Sequence, residues 1–484
     1  MRNLNSLPDV APHSPATKLV ALPVSHDLPA QPATVIYLHG SAPQERSKWY
    51  LLVRDKLFLS LALATLWTGF SIYVALPWMN DLANAIGWPL AIFVVTGVAL
   101  IPGYSNAFIV AGLLFDHRPQ FSQHAPLPPL SILVAAYNEQ DCIADTLASF
   151  AAQHYDAPLE ITVIDDGSTD ATAQRIRDFI AAARYPVNQK ISLLQMPRNG
   201  GKARALNAGL AQARHPLVVT TDADTLLFRG ALASLVLNHI ASPKNTAATA
   251  GAVLVRNSRT NLITRLQEWD YFLGIAVVKR IQSLLQGTLV AQGAFSIYRK
   301  DALLEVGGWE ETVGEDIVLT WAMMCRGYRV GYAENAFVFT NVPESYGAYY
   351  RQRKRWARGL VEAFKRHPRI LTSPRLNTPF VYLNLAFPYL DLAYLLAFIP
   401  GVIAAVFFQN YLIVGLLTLL QLPLSGLCNS IMFYKQRRIF LQHGLKVRKN
   451  VLGAVLFAVA YQVLLAPASC MGYLAELVNL RKSW

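Results

Sequence analysis

Residues 217–224 read Leu-Val-Val-Thr-Thr-Asp-Ala-Asp: a short apolar run that ends in two carboxylates two residues apart. This is the pattern of a buried strand whose carboxyl end opens onto a polar edge. On either side, Leu130–Ala135, Ile161–Ile164, Ile191–Met196 and Ala250–Val255 read as further strands, with Leu217–Thr220 the one quoted. Between them Glu139–Gln153, Asp170–Ala182, Lys202–Ala213 and Gly230–Ile240 read as helices. Near-continuous apolar strands interleaved with helices predict an α/β domain with a mostly parallel sheet covered on both faces. Ligands bind such sheets beyond the carboxyl ends of the strands.

Those ends are polar. They read Ala136-Tyr137-Asn138-Glu139, Asp165-Asp166-Gly167-Ser168 and Asp222-Ala223-Asp224. A single carboxylate in such a place can simply cap the next helix; three successive strand ends on one edge point to a site. Two carboxylates at Asp-x-Asp spacing can share a hard divalent cation and leave positions for phosphate and water. Mg²⁺ held in that way neutralises a diphosphate leaving group. Asn199-Gly200-Gly201-Lys202 opens a helix whose amides and lysine suit an anion or a nucleotide base. No GxxxxGK[ST] loop occurs, so P-loop chemistry is not indicated.

The rest of the chain departs from a soluble protein. Of 484 residues, 53% are hydrophobic and 15% charged, against about 25% charged in soluble domains. Cys142, Cys325, Cys428 and Cys470 are too dispersed for a metal knuckle or a disulfide framework. Apolar stretches long enough to span a bilayer occur at about Leu57–Met79, Pro89–Phe115 and Val451–Leu474, and Pro379–Cys428 has room for two with a break at Gln409-Asn410. Arg46, Lys48, Arg54 and Lys56 precede the first, and Lys435, Arg437, Arg438, Lys446, Arg448 and Lys449 precede the last. By the positive-inside rule these flanks place the N-terminus and the middle domain in the cytosol. The net charge of +13 is therefore largely membrane-flanking, and no nucleic-acid partner is expected. The expected division is a disordered cytosolic tail at 1–48, not a cleavable signal, then two membrane helices at 49–115 and the α/β domain at 116–342. An interfacial helix region follows at 343–375, two membrane helices at 376–434, a basic cytosolic loop at 435–450, and a last membrane helix with the C-terminus at 451–484.

Four motifs now stand in order: Asp166; Asp222-Ala223-Asp224; Gly314-Glu315-Asp316; and Gln352-Arg353-Lys354-Arg355-Trp356. In this set the segment resembles the catalytic domain of processive family-2 glycosyltransferases. Within them it is most similar to bacterial poly-β-1,6-N-acetylglucosamine synthases, with chitin, hyaluronan and cellulose synthases as relatives. Gly314 stands where that subgroup more often has Thr, and no C-terminal PilZ-like domain is expected. The resemblance implies a GT-A (Rossmann-like) cytosolic domain with α-helical transmembrane segments in a bacterial inner membrane. It implies inverting, processive transfer from UDP-N-acetylglucosamine to a growing β-linked exopolysaccharide, with Mg²⁺ or Mn²⁺ as cofactor. It also implies a small membrane partner subunit with cyclic di-GMP at the shared interface.

Residue by residue, the resemblance has Tyr137, Glu139, Asp166 and Lys202 hold the uridine, and Asp222 and Asp224 bind the metal and diphosphate. Tyr137 as a packing residue stays open. Asp316, beside Glu315, would be the general base that takes the acceptor hydroxyl proton. A helix N-terminus favours its ionised form, so burial against the sugar has to raise its proton affinity; a capping role is the alternative. Gln352, Arg355 and Trp356 would face the site, Arg355 meeting the leaving diphosphate and Trp356 stacking under the acceptor sugar. Arg351, Arg353 and Lys354 would face lipid headgroups or the pyrophosphate, since Tyr346–Arg366 also reads as a basic membrane-surface helix. Gly293 would line the acceptor site through its backbone. Leu262–Leu285 with Arg265, Lys279 and Arg280 reads either as an interfacial helix or, in its first half, as a core helix. Asp391 lies inside an apolar tract, where a charge is costly and faces a polar cavity; it either lines the polymer path or sits at the interface after a helix break at Pro388.

Overall fold

The computed structural model describes residues 51–116, 125–182 and 184–480, without the side chains of 416–422. The expected tail at 1–48 lies outside the described residues. Strands β1 (Leu130–Ala136), β2 (Leu159–Asp165), β3 (Gln189–Gln195), β4 (Leu217–Asp222), β5 (Leu226–Leu227), β6 (Thr246–Val255), β7 (Phe295–Arg299) and β8 (Arg329–Thr340) form one sheet in the order β3-β2-β1-β4-β7-β6-β8-β5. The helices are α1 (Val53–Ile86), α2 (Trp88–Leu114), α3 (Ile143–Ala151), α4 (Thr172–Ala182), α5 (Lys202–Gln212) and α6 (Ala231–Ile240). Next comes α7, which runs from Leu262–Tyr271 through a π-helical stretch at Phe272–Val278 into Lys279–Leu284. Then follow α8 (Lys300–Val306), α9 (Glu315–Cys325), α10 (Tyr346–Arg366), α11 (Thr378–Phe408), α12 (Leu416–Gln442) and α13 (Val451–Leu477).

The expected mostly parallel sheet holds: β3, β2, β1, β4, β6 and β8 share one direction, while β7, antiparallel to β4 and to β6, and the short β5, antiparallel to β8, run against it. Register places the ends together: Ala136 pairs with Asp165, Ala135 with Asp222, and Asp165 with Gln195. Alternate side chains feed two cores. Leu133, Ile164 and Val218 pack under α5 and α9, while Ile132, Val134, Ile161 and Val163 pack under α3 and α4 with the same completeness. A sheet dry on both faces can expose polar groups only at its ends.

Among the described residues α1, α2, α11 and α13 are long and apolar enough to cross a membrane. Their outward faces carry exposed Leu66, Tyr73, Val406, Phe407 and Val459, surface that water would disfavour. The break expected at Gln409-Asn410 is present: α11 stops at Phe408 and Gln409 takes a left-handed φ of 54°. The remaining expected span falls on α12, part of whose side chains is not described.

Three local expectations change. α3 begins at Ile143 rather than Glu139, because Tyr137–Gln140 forms a loop tied to the next strand end: Asn138 N–H donates to Ser168 Oγ and Glu139 N–H to Thr172 Oγ1. Lys279 and Arg280 are buried, not interfacial. Arg280 pairs with Asp116 Oδ2 at 2.5 Å and Glu334 Oε2 at 3.1 Å and donates to Gln436 Oε1, fastening α2, β8 and α12 to one point. Helix α11 runs through Pro388 without ending, which leaves Asp391 inside the helix and buried.

Candidate active site

Residue types at the strand ends dictate the site from the backbone upward. Gly167, at φ 71°, turns the chain where an added Cβ would lie 2.6 Å from the Arg198 carbonyl carbon. That turn brings Asp166 against the next loop, where its two carboxylate oxygens accept from Gly200 N–H (2.9 Å) and Gly201 N–H (2.7 Å). Asp166 thus anchors the Asn199–Lys202 loop, and Gly201, at φ 88°, launches α5 with Lys202 as its first residue.

Lys202 joins two motifs. Its Nζ donates to Asp222 Oδ1 and lies 3.8 Å from Glu315 Oε1. Burial pulls its pKa down, but Asp222 and then Glu315 outweigh that and hold the ammonium above the usual lysine range. Gly293 belongs to the same cluster: a Cβ there would fall 2.5 Å from Lys202 Nζ and 3.8 Å from Glu315 Oε1. Glu315, buried at the start of α9, is raised to about 7 by burial, which Lys202 opposes and Asp316 reinforces.

The carboxylates are crowded. Glu139 is raised to about 7, first by burial and then by Asp224 and Asp222. Asp224 is raised by burial and by Asp222, while Thr340 Oγ1 donates to its Oδ2 at 3.1 Å. Asp222 and Asp224, with Glu139 near enough to repel both, offer carboxylate oxygens of the kind a hard divalent cation takes. Among the described residues no group of three His, Cys, Asp or Glu side chains suffices for a metal by itself. Substrate oxygens would therefore complete any coordination shell.

Helix α10 closes this edge. Gln352, Arg355, Gly359 and Glu362 recur at helical spacing on one face. Gly359 meets Gly314 so closely that a Cβ on either would lie 2.8 Å from the Cα of the other. Glu362 Oε2 accepts from Val313 N–H at 2.8 Å, so the helix grips the loop that carries Glu315 and Asp316. Arg355 is close enough to lower the pKa of Glu315. Gln352 Oε1 is buried and has no hydrogen-bond partner among the described residues. Trp356 is 42% exposed, with Tyr271 6.1 Å away between ring centroids.

Arg353 faces neither lipid headgroups nor the Lys202–Asp222 cluster where a pyrophosphate was expected. It is buried, paired with Asp270 at 2.5 Å and stacked between the rings of Tyr349 and Trp356. Tyr137 is exposed at the mouth. Asp391 is not brought to the site: Gln462 Nε2 and Tyr473 OH of α13 donate to its two oxygens at 2.7 and 2.8 Å. The sequence reading missed Thr340, Tyr271, Asp270 and Glu362; only Glu362 left a signal, its place on the Gln352–Arg355 face.

The sequence profile of the family described as Glycosyltransferase like family 2 matches residues 128–359. These residues are a family-2 glycosyltransferase domain. Its fold is GT-A: a mannosyltransferase from Pyrobaculum calidifontis, solved in complex with GDP-Man and Mn²⁺, superposes with a TM-score of 0.54 at 19% identity, covering 80% of this chain and 99% of that one. The chain is 35% identical over 241 residues to a poly-β-1,6-N-acetyl-D-glucosamine synthase of Staphylococcus aureus, covering 50% of this chain and 56% of the relative. It is 34% identical over 246 residues to the synthase of the same name from Staphylococcus epidermidis, covering 51% and 58% respectively. It thus spans just over half the length of these curated relatives.

Proposed function

We propose that this family-2 domain is an inverting, processive N-acetylglucosaminyltransferase that draws on UDP-N-acetylglucosamine and exports a poly-N-acetylglucosamine-type polymer. The observation that carries the reading is the bridge from Asp222 through Lys202 to Glu315, which joins the Asp-x-Asp and Gly-Glu-Asp motifs in one cluster with Arg355 beside Glu315. The names of the relatives above support the sugar.

In this reading Tyr137, Glu139, Asp166 and Lys202 hold the uridine, and Asp222 and Asp224 face the diphosphate. Asp222 and Asp224 would hold a Mg²⁺ or Mn²⁺, whose chemistry there would be charge neutralisation of the diphosphate. The acceptor hydroxyl oxygen bonds to the anomeric carbon and its proton passes to Asp316. The bond from that carbon to the β-phosphate oxygen breaks, and its electron pair leaves with UDP, met by Arg355. Gln352 Oε1 accepts from an acceptor hydroxyl, Gly293 lines the acceptor site through its backbone, and Trp356 carries the sugar ring. The four apolar helices span the bacterial inner membrane with the catalytic domain cytosolic, and Asp391 lies on the polymer path. A small membrane partner regulated by cyclic di-GMP fits the few spans.

The test is UDP release by the full chain in detergent with Mg²⁺, across UDP-N-acetylglucosamine, UDP-glucose and UDP-glucuronate, with product size measured and Asp316→Asn as control. Long polymer from UDP-N-acetylglucosamine alone, lost in the control, is expected. A need for two donors would indicate a copolymer synthase, and single-sugar products would refute processivity.

A further inference from the structure

Trp356 projects from α10 with much of its ring uncovered. An indole so exposed turns about two torsions unless something fixes it. One turn earlier on the same face, Arg353 lays its guanidinium 4.2 Å from the Trp356 ring centroid and 4.9 Å from that of Tyr349. Arg353 is held in turn: its Nη2 meets Asp270 Oδ2 at 2.5 Å, and both side chains are nearly dry. Asp270 is itself oriented from a third element, because Tyr461 OH in α13 donates to Oδ1 at 2.6 Å. Tyr271, next to Asp270, closes on the other edge of Trp356.

The chain of contacts therefore runs from the last helix through α7 to the one exposed aromatic of the Gln-x-x-Arg-Trp motif. A planar guanidinium suits this place, since it can stack on rings and pair with a carboxylate at once. Low exposure keeps the Asp270–Arg353 attraction unscreened. An ion pair that only glued α7 to α10 would have no need of an indole face.

We infer that Asp270, Arg353 and Tyr461 are positioning residues that fix the plane of Trp356 for a pyranose acceptor, and that they act on acceptor rather than donor binding. The inference rests on the proposed glycosyl transfer and deepens it. Among the described residues no hydrogen bond or ion pair joins any of the three to Asp222, Lys202 or Glu315, so donor affinity should not depend on them.

The experiment uses the full chain in detergent with UDP-N-acetylglucosamine and a β-linked N-acetylglucosamine trisaccharide as acceptor probe. Tyr461→Phe deletes one hydroxyl and keeps the packing. It is expected to raise the half-saturating acceptor concentration roughly tenfold, the scale of one hydrogen bond to a charged group, with donor KM within about twofold. Arg353→Lys should do the same more strongly, because the charge stays while the stacking plane goes. Donor and acceptor constants that rise together, or an unchanged acceptor constant, would overturn the inference. A second readout needs no turnover: acrylamide quenching of Trp356 emission, taken as the difference between proteins with and without Trp356→Phe. Tyr461→Phe should make that difference more quenchable, and an unchanged value overturns the clamp. If the unmodified protein releases UDP from no donor, the proposed function fails, and quenching alone decides the clamp.

Discussion

Gly359→Ala places a methyl group where α10 grips the loop of the proposed base. The new Cβ would lie 2.8 Å from Gly314 Cα and 3.1 Å from Gly314 N, both backbone atoms that cannot swing aside. Carbon pairs rest at about 3.5–4.0 Å, so the two segments must part by roughly 0.7–1.2 Å. Overpacking of this kind costs about 1–3 kcal/mol, while alanine gains about 0.8–1 kcal/mol over glycine inside a helix. The net loss is on the order of 0–2 kcal/mol, a Tm shift of only a few degrees for a domain of this size. Activity should respond far more, because a displacement near 1 Å between reacting groups costs about 100-fold. Initial rates of UDP release and thermal unfolding are measured on the same preparations. Gly347→Ala is the control: in the first turn of the same helix its Cβ would meet only the mobile Arg351 guanidinium, at 3.6 Å. It should hold or slightly raise Tm and leave turnover intact. Wild-type turnover in Gly359→Ala would refute the idea that the Gly314–Gly359 contact sets the spacing between the proposed base and the arginine.

Three other outcomes follow from the same geometry. Glu139 has a folded-state pKa raised to about 7 from the ordinary 4.5; its stabilising, protonated state is fully present below pH 4.5 and is lost as pH rises through 7. Glu139→Gln should therefore stabilise the metal-free protein at pH 8 by about 1 kcal/mol after allowance for solvent screening, with the gain vanishing near pH 4.5 in thermal melts. Asp224→Asn should weaken Mg²⁺-dependent UDP binding, measured by calorimetry, by more than the roughly 10–100-fold of an outer-shell change; unchanged affinity would remove Asp224 from the ligand set. Asp391→Leu strips the acceptor from Gln462 and Tyr473, and polymer sequestered inside inverted vesicles should drop while UDP release persists. Undiminished polymer export would take Asp391 off the path.

Much of the site was legible because its parts are local. The apolar runs before Asp165-Asp166 and Asp222-Ala223-Asp224 announce buried strands, and their register alone brings those ends together. Strands β7 and β8 were not legible. β7 is five residues long, and β8 carries Arg329, Glu334 and Asn335 inside its run, so neither shows an uninterrupted apolar signature. The cations misled for a different reason. Lys279, Arg280 and Arg353 look solvated in any sequence window, because what neutralises or accepts from them comes from elsewhere in the chain: the Val290 carbonyl, Asp116 with Glu334, and Asp270. Burial of a charge is decided by its partner, and periodicity does not encode partners.

Helix α13 presents Gly472 to the Lys354 carbonyl, where any Cβ would come within 2.4 Å, and its Glu476 gathers Arg358 and Lys365. The helix that bears Gln352, Arg355 and Trp356 thus leans on a wall translated about a hundred residues later. On the ribosome, the half proposed to bind the donor emerges while this helix still lacks its backing, so the domain would pass through a stage in which the proposed acceptor side is not yet propped. Trimming α13 to make a water-soluble enzyme would freeze the protein at that stage, with Arg358 stranded beside a missing carboxylate. A soluble version has to rebuild the wall rather than merely delete the anchor.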